Sequence, residues 1–184
     1  MDNKSFLLAL AGTSALLGSS PAVANVYIAP DQDGTGRAIL LEPLSFIKVD
    51  DLDFGGFIIP SSGSGTVSVD AATGTPTNAA SLVQLPQYVQ QRGHFLGAGT
   101  PSQAVSVTAV LPDKLYLGGV ITSPDSIDVA LALDNTVAEL DGSFTYTIAS
   151  DQVLDVYVGG DLTIASGMNP GVYSNVYTLT VTYQ

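Results

Sequence analysis

A two-residue rhythm of apolar side chains limits the fold more than any other feature of this chain. Val67 and Val69 alternate with polar residues in TVSV, and Val105, Val107, Ala109 and Leu111 share one parity in AVSVTAVL. Ile127, Val129, Leu131 and Leu133 repeat the pattern in IDVALAL, and Phe144, Tyr146 and Ile148 in SFTYTI. In VLDVYVGGDLTI the apolar row is Leu154, Val156, Val158, Leu162 and Ile164, opposite Asp155, Tyr157, Asp161 and Thr163. Successive side chains of an extended chain point to opposite faces, so each segment reads as a strand with one face in a core and one in water. Half-buried strands of this kind pair antiparallel. Turn signals separate them: PSSG at 60–63, TGTP at 73–76, GTP at 99–101, PD at 112–113, DG at 141–142 and NPG at 169–171. Short strands at this spacing predict an all-β antiparallel sandwich. No internal repeat is visible and no linker divides the domain.

Two stretches depart from the rhythm. In AILLEPLSFIKV, Ile39 and Leu41 lie on one parity and Leu44 and Phe46 on the other. Proline cannot donate to a ladder, so the expectation is one strand that kinks at Pro43 and switches sheets. The DLDFGG block at 51–56 then supplies a turn and a following strand. Residues 79–91 read as a short helix or an irregular loop.

Composition sets the compartment and excludes partners. The 184 residues carry 5 Lys+Arg against 17 Asp+Glu, a net charge of −12. Such a field keeps a chain soluble and excludes nucleic acid as a partner, because phosphates need a basic surface. There is no cysteine, so neither a disulfide nor a thiolate metal site can form. At the N-terminus Lys4 precedes an apolar run from Phe6 to Leu17, and Ala22-Val23-Ala24 has the small-x-small form of a cleavage site. This reads as a secretory signal peptide over residues 1–24. The run is well short of the ~20 apolar residues of a membrane span. Cleavage removes Asp2 and Lys4, so the mature charge stays at 4 − 16 = −12, and no other candidate span remains.

The segment GVYSNVYTLTVTYQ, residues 171–184, reads as one closing strand. Tyr173, Tyr177, Leu179, Val181 and Tyr183 project to one side, with Asn175 and Val176 breaking the pattern. Counted back from Gln184, Tyr183 is second, Val181 fourth, Leu179 sixth, Tyr177 eighth and Gly171 fourteenth. This layout resembles the C-terminal strand of chaperone–usher pilus subunits. Two further blocks strengthen it: DLDFG at 51–55, and GGDL at 159–162 followed by PGVY at 170–173. Together they resemble an uncharacterised bacterial secreted β-domain family related to spore-coat-U-like and archaic chaperone–usher pilins, over residues from about 38 to 184. Many such pilins carry a disulfide near the first strand, and this chain has no cysteine.

The resemblance implies an immunoglobulin-like, pilin-type sandwich lacking its final strand, over residues 37–184. It implies a complementation groove at Gly171, Tyr173, Tyr177, Leu179, Val181 and Tyr183, with Gly171 turning the chain into the strand. A donor strand would come from the N-terminal extension, residues 25–36. There Val26 and Ile28 alternate before Pro30 ends the run, and Ile39 and Leu41 extend it if the domain proper begins near Leu44. The donor would act in trans, from another subunit, or in cis. The implied partners are other copies or related subunits, with a periplasmic chaperone and an outer-membrane usher in transit to the cell surface.

Other chemistry is weaker. Asp31, Asp33, Thr35 and Glu42 stand at positions one, three, five and twelve of an EF-hand-like loop, with Gly36 at six. Threonine is a poor ligand there, and Pro30 and Pro43 spoil the flanking helices, so a solvated acidic arm is the better reading. Asp50, Asp51 and Asp53 read as a turn and a solvated face. His94 is the only histidine and has no GxSxG elbow or cysteine nucleophile beside it. It reads as a satisfied strand or loop residue. The expectation is therefore a secreted, non-enzymatic structural subunit of a fimbria-like filament, without cofactor or metal. The alternative is a self-contained binding module, with Tyr88, Tyr116 and Tyr157 as a surface for carbohydrate or a cell-surface partner.

Overall fold

A computed structural model describes residues 36–135 and 142–184. The compact unit is Ile39–Gln184; residues 36–38 belong with the preceding segment. The signal-peptide reading, the Val26 and Ile28 donor positions, and Asp31, Asp33 and Thr35 lie outside the described residues.

The described residues form strands and no helix. In chain order these are β1 (Ser45–Asp50), β2 (Phe57–Ile58), β3 (Ser64–Val69), β4 (Pro76–Asn78), β5 (Val83–Gln84), β6 (Gly93–Ala98) and β7 (Ala104–Val110). They continue as β8 (Lys114–Leu117), β9 (Ser126–Leu133), β10 (Gly142–Thr147), β11 (Val153–Ala165), β12 (Tyr173–Ser174) and β13 (Thr178–Tyr183). The larger sheet runs β1-β6-β11-β9-β8-β12, with β3 against β11 and β4 against β3. The smaller runs β10-β7-β13, and β2 pairs with β5. Every pairing is antiparallel. The fold is the expected all-β sandwich.

β11 is the spine of the larger sheet. Its 13 residues are long enough to hold β6 against residues 153–158 and β3 against residues 160–165. Gly159 and Gly160 sit where these partners and β9 converge. A Cβ on Gly159 would meet the backbone oxygen of Val69 and lie 2.5 Å from the nitrogen of Ala71, so only glycine lets the strands approach there.

The alternating rows become the core. Val105, Val107 and Ala109 of the smaller sheet pack against Leu154, Val156 and Val158 of the larger, with Leu133 and Ile148. A second cluster gathers Phe54, Val67, Val69, Ile127, Val129, Leu131, Leu162 and Ile164. Leu52, Leu111 and Tyr177 pack against both clusters and make the core continuous.

Two expectations are corrected and one alternative is decided. No strand runs through Pro43: residues 36–44 are irregular and β1 starts at Ser45, because the ring removes the donor that a ladder would need. Of the two readings of residues 79–91, the irregular loop is the one found, with turns around the two-residue β5 and no helix. Finally, residues 171–184 are two strands and not one. β12 pairs with β8 in the larger sheet, whereas β13 pairs with β7 in the smaller. The break falls at Asn175. Its side chain donates to the carbonyl of Lys114 at 2.8 Å and accepts from the amide of Val176 at 2.8 Å, so the chain is pinned as it crosses between layers.

Candidate functional site

β13 lies at the margin of the smaller sheet. On one side it pairs with β7 in unbroken register from Thr178 opposite Val110 to Tyr183 opposite Val105. The amide of Gln184 donates to the carbonyl of Ala104 at 3.2 Å, which fixes the phase of the ladder. In an antiparallel pair, hydrogen-bonded and non-bonded residues alternate. Thr178, Thr180 and Thr182 therefore point their N–H and C=O groups at β7. Leu179, Val181 and Tyr183 point theirs the other way, where no strand pairs among the described residues. Three N–H and three C=O groups line that edge.

The same three residues turn their side chains to the core without being sealed in it. Leu179, Val181 and Tyr183 are only partly buried, while Val105 and Val107 of the neighbouring β7 are fully buried. Across from them, β1 ends the larger sheet, pairing with β6 alone among the described residues. Leu44, Phe46 and Phe95 pack on the same cluster and are also only partly buried. The rings of Phe46 and Phe95 stack at 5.5 Å, and Phe95 meets Tyr177 edge-on at 5.8 Å. Partly buried apolar side chains thus line both margins, β1 and β13.

The two margins differ in how they resist intruders. β1 carries Lys48 and Asp50, and its register slips between them, which are common devices for blunting an edge. β13 reads TLTVTY, with no charge, no proline and no bulge. Among the described residues it is a β-prone edge without any such device.

A tyrosine anchors each end of β13. The Tyr177 hydroxyl lies over Gly93 and the Tyr183 hydroxyl over Gly99; a Cβ on either glycine would collide with the hydroxyl above it. Both pairs are six residues apart, so β13 and β6 run in the same direction in facing layers. The Tyr183 hydroxyl accepts from the Thr100 amide at 2.8 Å and donates to the Glu42 carbonyl at 2.9 Å. The Glu42 amide in turn donates to Thr100 Oγ1 at 2.7 Å. The Tyr177 hydroxyl is buried and makes no full hydrogen bond among the described residues; burial pushes its pKa up to about 12, opposed only in part by the nearby Leu52 amide.

An apolar cleft of about 790 Å³ opens beside Tyr177. Leu52, Phe54, Phe57, Leu115 and Met168 line it, with Gly171, Val172 and Tyr173 along its rim. Gly171 and Tyr173, grouped by the sequence with the closing strand, therefore border this cleft, while Leu179, Val181 and Tyr183 border the β13 edge. Tyr177 belongs to both. The structure thus divides the six predicted groove residues between two adjoining features. Ile39 and Leu41 are 65% and 40% exposed, with Leu40 between them at 94%. The sequence reading missed Leu44, Phe46 and Phe95, and the Gly93 and Gly99 spacing was the signal that would have paired β6 with the two tyrosines.

Four of the remaining candidates, His94, Tyr157, Asp51 and Asp53, are held by local contacts, whereas Tyr88 is 51% exposed. His94 Nε2 lies 2.7 Å from Asp155 Oδ1, and its ring stacks on Tyr157 at 4.6 Å. Arg92 covers the other side of Tyr157, 3.5 Å from the ring centroid. Asp51 holds Lys48 at 2.6 Å, and Asp53 accepts from the Gly55 amide at 2.7 Å. No group of three metal-ligating side chains occurs among the described residues.

No curated protein and no solved structure matches the chain. The family described as a domain of unknown function (DUF4402) matches residues 44–183, from the residue after Pro43 to the end of β13, and the chain belongs to that family.

Proposed function

We propose that this chain is an exported structural subunit whose sandwich is completed by a strand from outside, and that such completions link subunits into a surface filament. The single observation that carries the reading is the outer edge of β13. It presents three N–H and three C=O groups that no strand pairs among the described residues, beside partly buried apolar side chains, and nothing in its sequence defends it.

A strand laid along that edge forms up to six main-chain hydrogen bonds, worth about 0.5–1.5 kcal/mol each. Every aliphatic side chain it drops between Phe46 and Val181 adds about 1.5–3 kcal/mol. This is β-strand addition, in which the main chain supplies affinity and alternate side chains supply fit. Donor and acceptor surfaces differ, so the contact is head-to-tail and grows without closing. An exposed edge also aggregates, so a chaperone lending a strand in transit fits the same chemistry.

The competing reading, a carbohydrate-binding module, draws no support from Tyr157. Both faces of its ring are covered, by His94 and by Arg92.

The test is size. Purified chain from residue 25 onward should form a concentration-dependent ladder of oligomers, and removing residues 25–36 should leave monomers. A full-length chain that stays monomeric at every concentration, or a truncated one that assembles equally well, overturns the proposal.

A further inference from the structure

Resting on strand addition at the β13 edge, we infer a second contact: the cleft beside Tyr177 receives Ile39, Leu40 and Leu41 of the next copy of the chain. Two poles of β13 define the geometry. The Tyr183 pole holds Glu42 through the hydrogen bond from the tyrosine hydroxyl at 2.9 Å, so each chain enters its own domain there. The cleft lies at the other pole, around Tyr177. The six residues of β13 separate the poles by roughly 20 Å at about 3.4 Å per residue.

A chain cannot fill its own cleft with these residues. Leu40 is two residues from the anchored Glu42 and reaches at most about 7 Å from it. The run is nevertheless strongly apolar and left in water, with Leu40 at 94% exposure and Ile39 at 65%. It also lies outside the 44–183 span shared with the family, as an addition just before the domain.

Strand direction supplies the occupant. A donor paired antiparallel with β13 travels from the Tyr183 pole to the Tyr177 pole. Its last residues, those next to its own domain, then arrive at the cleft. Those residues are Ile39, Leu40 and Leu41. A parallel donor delivers them to the opposite pole, and parallel pairing is slightly less stable per residue. The lining is chemically suited to aliphatic side chains, with Leu52, Phe54, Phe57, Leu115 and Met168 beneath the rim. The contact sets which pole of one subunit faces which pole of the next.

The chain has no cysteine, so introduced pairs report contacts cleanly. Full-length Leu40→Cys is mixed with full-length Val172→Cys under mild oxidation; Val172 borders the cleft and is 77% exposed, so neither change disturbs the core. A disulfide needs the two Cα atoms within about 7 Å. The control partner is Ala98→Cys, an exposed position at the other pole, paired with Ser45. The expected result is an intermolecular disulfide forming at least tenfold faster with Val172→Cys than with Ala98→Cys. Equal rates, or faster linkage to Ala98→Cys, overturn the inference. So does a Leu40→Cys/Val172→Cys double variant that closes within one chain. The oligomer ladder of the same samples separates the two levels: oligomers without the cleft disulfide refute the second contact alone, and monomers throughout refute strand addition and this inference with it.

Discussion

Amide exchange along β13 should show a two-residue alternation that an added strand erases. The amides of Thr178, Thr180 and Thr182 are directed at β7, and those of Leu179, Val181 and Tyr183 at the open edge. In a chain beginning at residue 37, the first three should be protected to the level of the β7 pairing, and the second three should exchange close to the rate of an unstructured peptide. A synthetic peptide of residues 25–38 is then the perturbation. If it pairs with the edge, an outward amide exchanges only when the peptide is off. At a free concentration 100 times Kd, the bound state is favoured by about 2.7 kcal/mol, so Leu179, Val181 and Tyr183 should slow about a hundredfold. The inward amides should change little, because their partners on β7 are unaltered. The assay is hydrogen exchange followed residue by residue by NMR. Equal protection of all six amides before the peptide is added refutes the open edge. Alternation that persists after the peptide has bound refutes the edge as its site.

Four further outcomes follow. Tyr183→Phe leaves the Thr100 amide and Glu42 carbonyl without their hydroxyl and should cost about 1 kcal/mol in urea unfolding. Tyr177→Phe removes a buried hydroxyl whose nearest polar neighbour among the described residues is the Leu52 amide, a contact too weak to count as a full hydrogen bond, and should change stability by less than about 1 kcal/mol. The Tyr177 phenol is raised to about 12 from an ordinary 10.0, chiefly by burial, so its contribution is complete below pH 10 and declines as pH climbs toward 12. The urea midpoint should fall across that window, and less steeply in Tyr177→Phe. Gly159→Ala drives a methyl into the Val69 and Ala71 backbones and should destabilise by more than about 3 kcal/mol, read as a lowered thermal midpoint.

What the sequence settled by itself was every strand whose pattern is local. β3, β7, β9, β10 and β11 appear where alternation placed them, because a strand that buries one face must repeat every two residues. β6 escaped that reading: its inward positions include Gly93 and Gly97, where Phe46 and Tyr177 fill the space a larger side chain would take. Small residues erase an apolar rhythm when the apolar bulk comes from another part of the chain. The sequence showed a break at Asn175 and Val176 but not that the two halves join different sheets, since the Asn175 bond to Lys114 spans 61 positions.

The undefended TLTVTY edge was legible as composition, but not as an edge. Whether a strand has one neighbour or two depends on which distant segments lie beside it, and a sequence period carries no record of that. Only the tertiary arrangement put β1 and β13 at facing margins, left three residues of β13 with their main-chain groups turned outward, and placed an apolar cleft at the end of the strand farthest from where the chain enters. The physical reason is that side-chain alternation is fixed by backbone geometry within a strand, whereas sheet margins are fixed by long-range pairing.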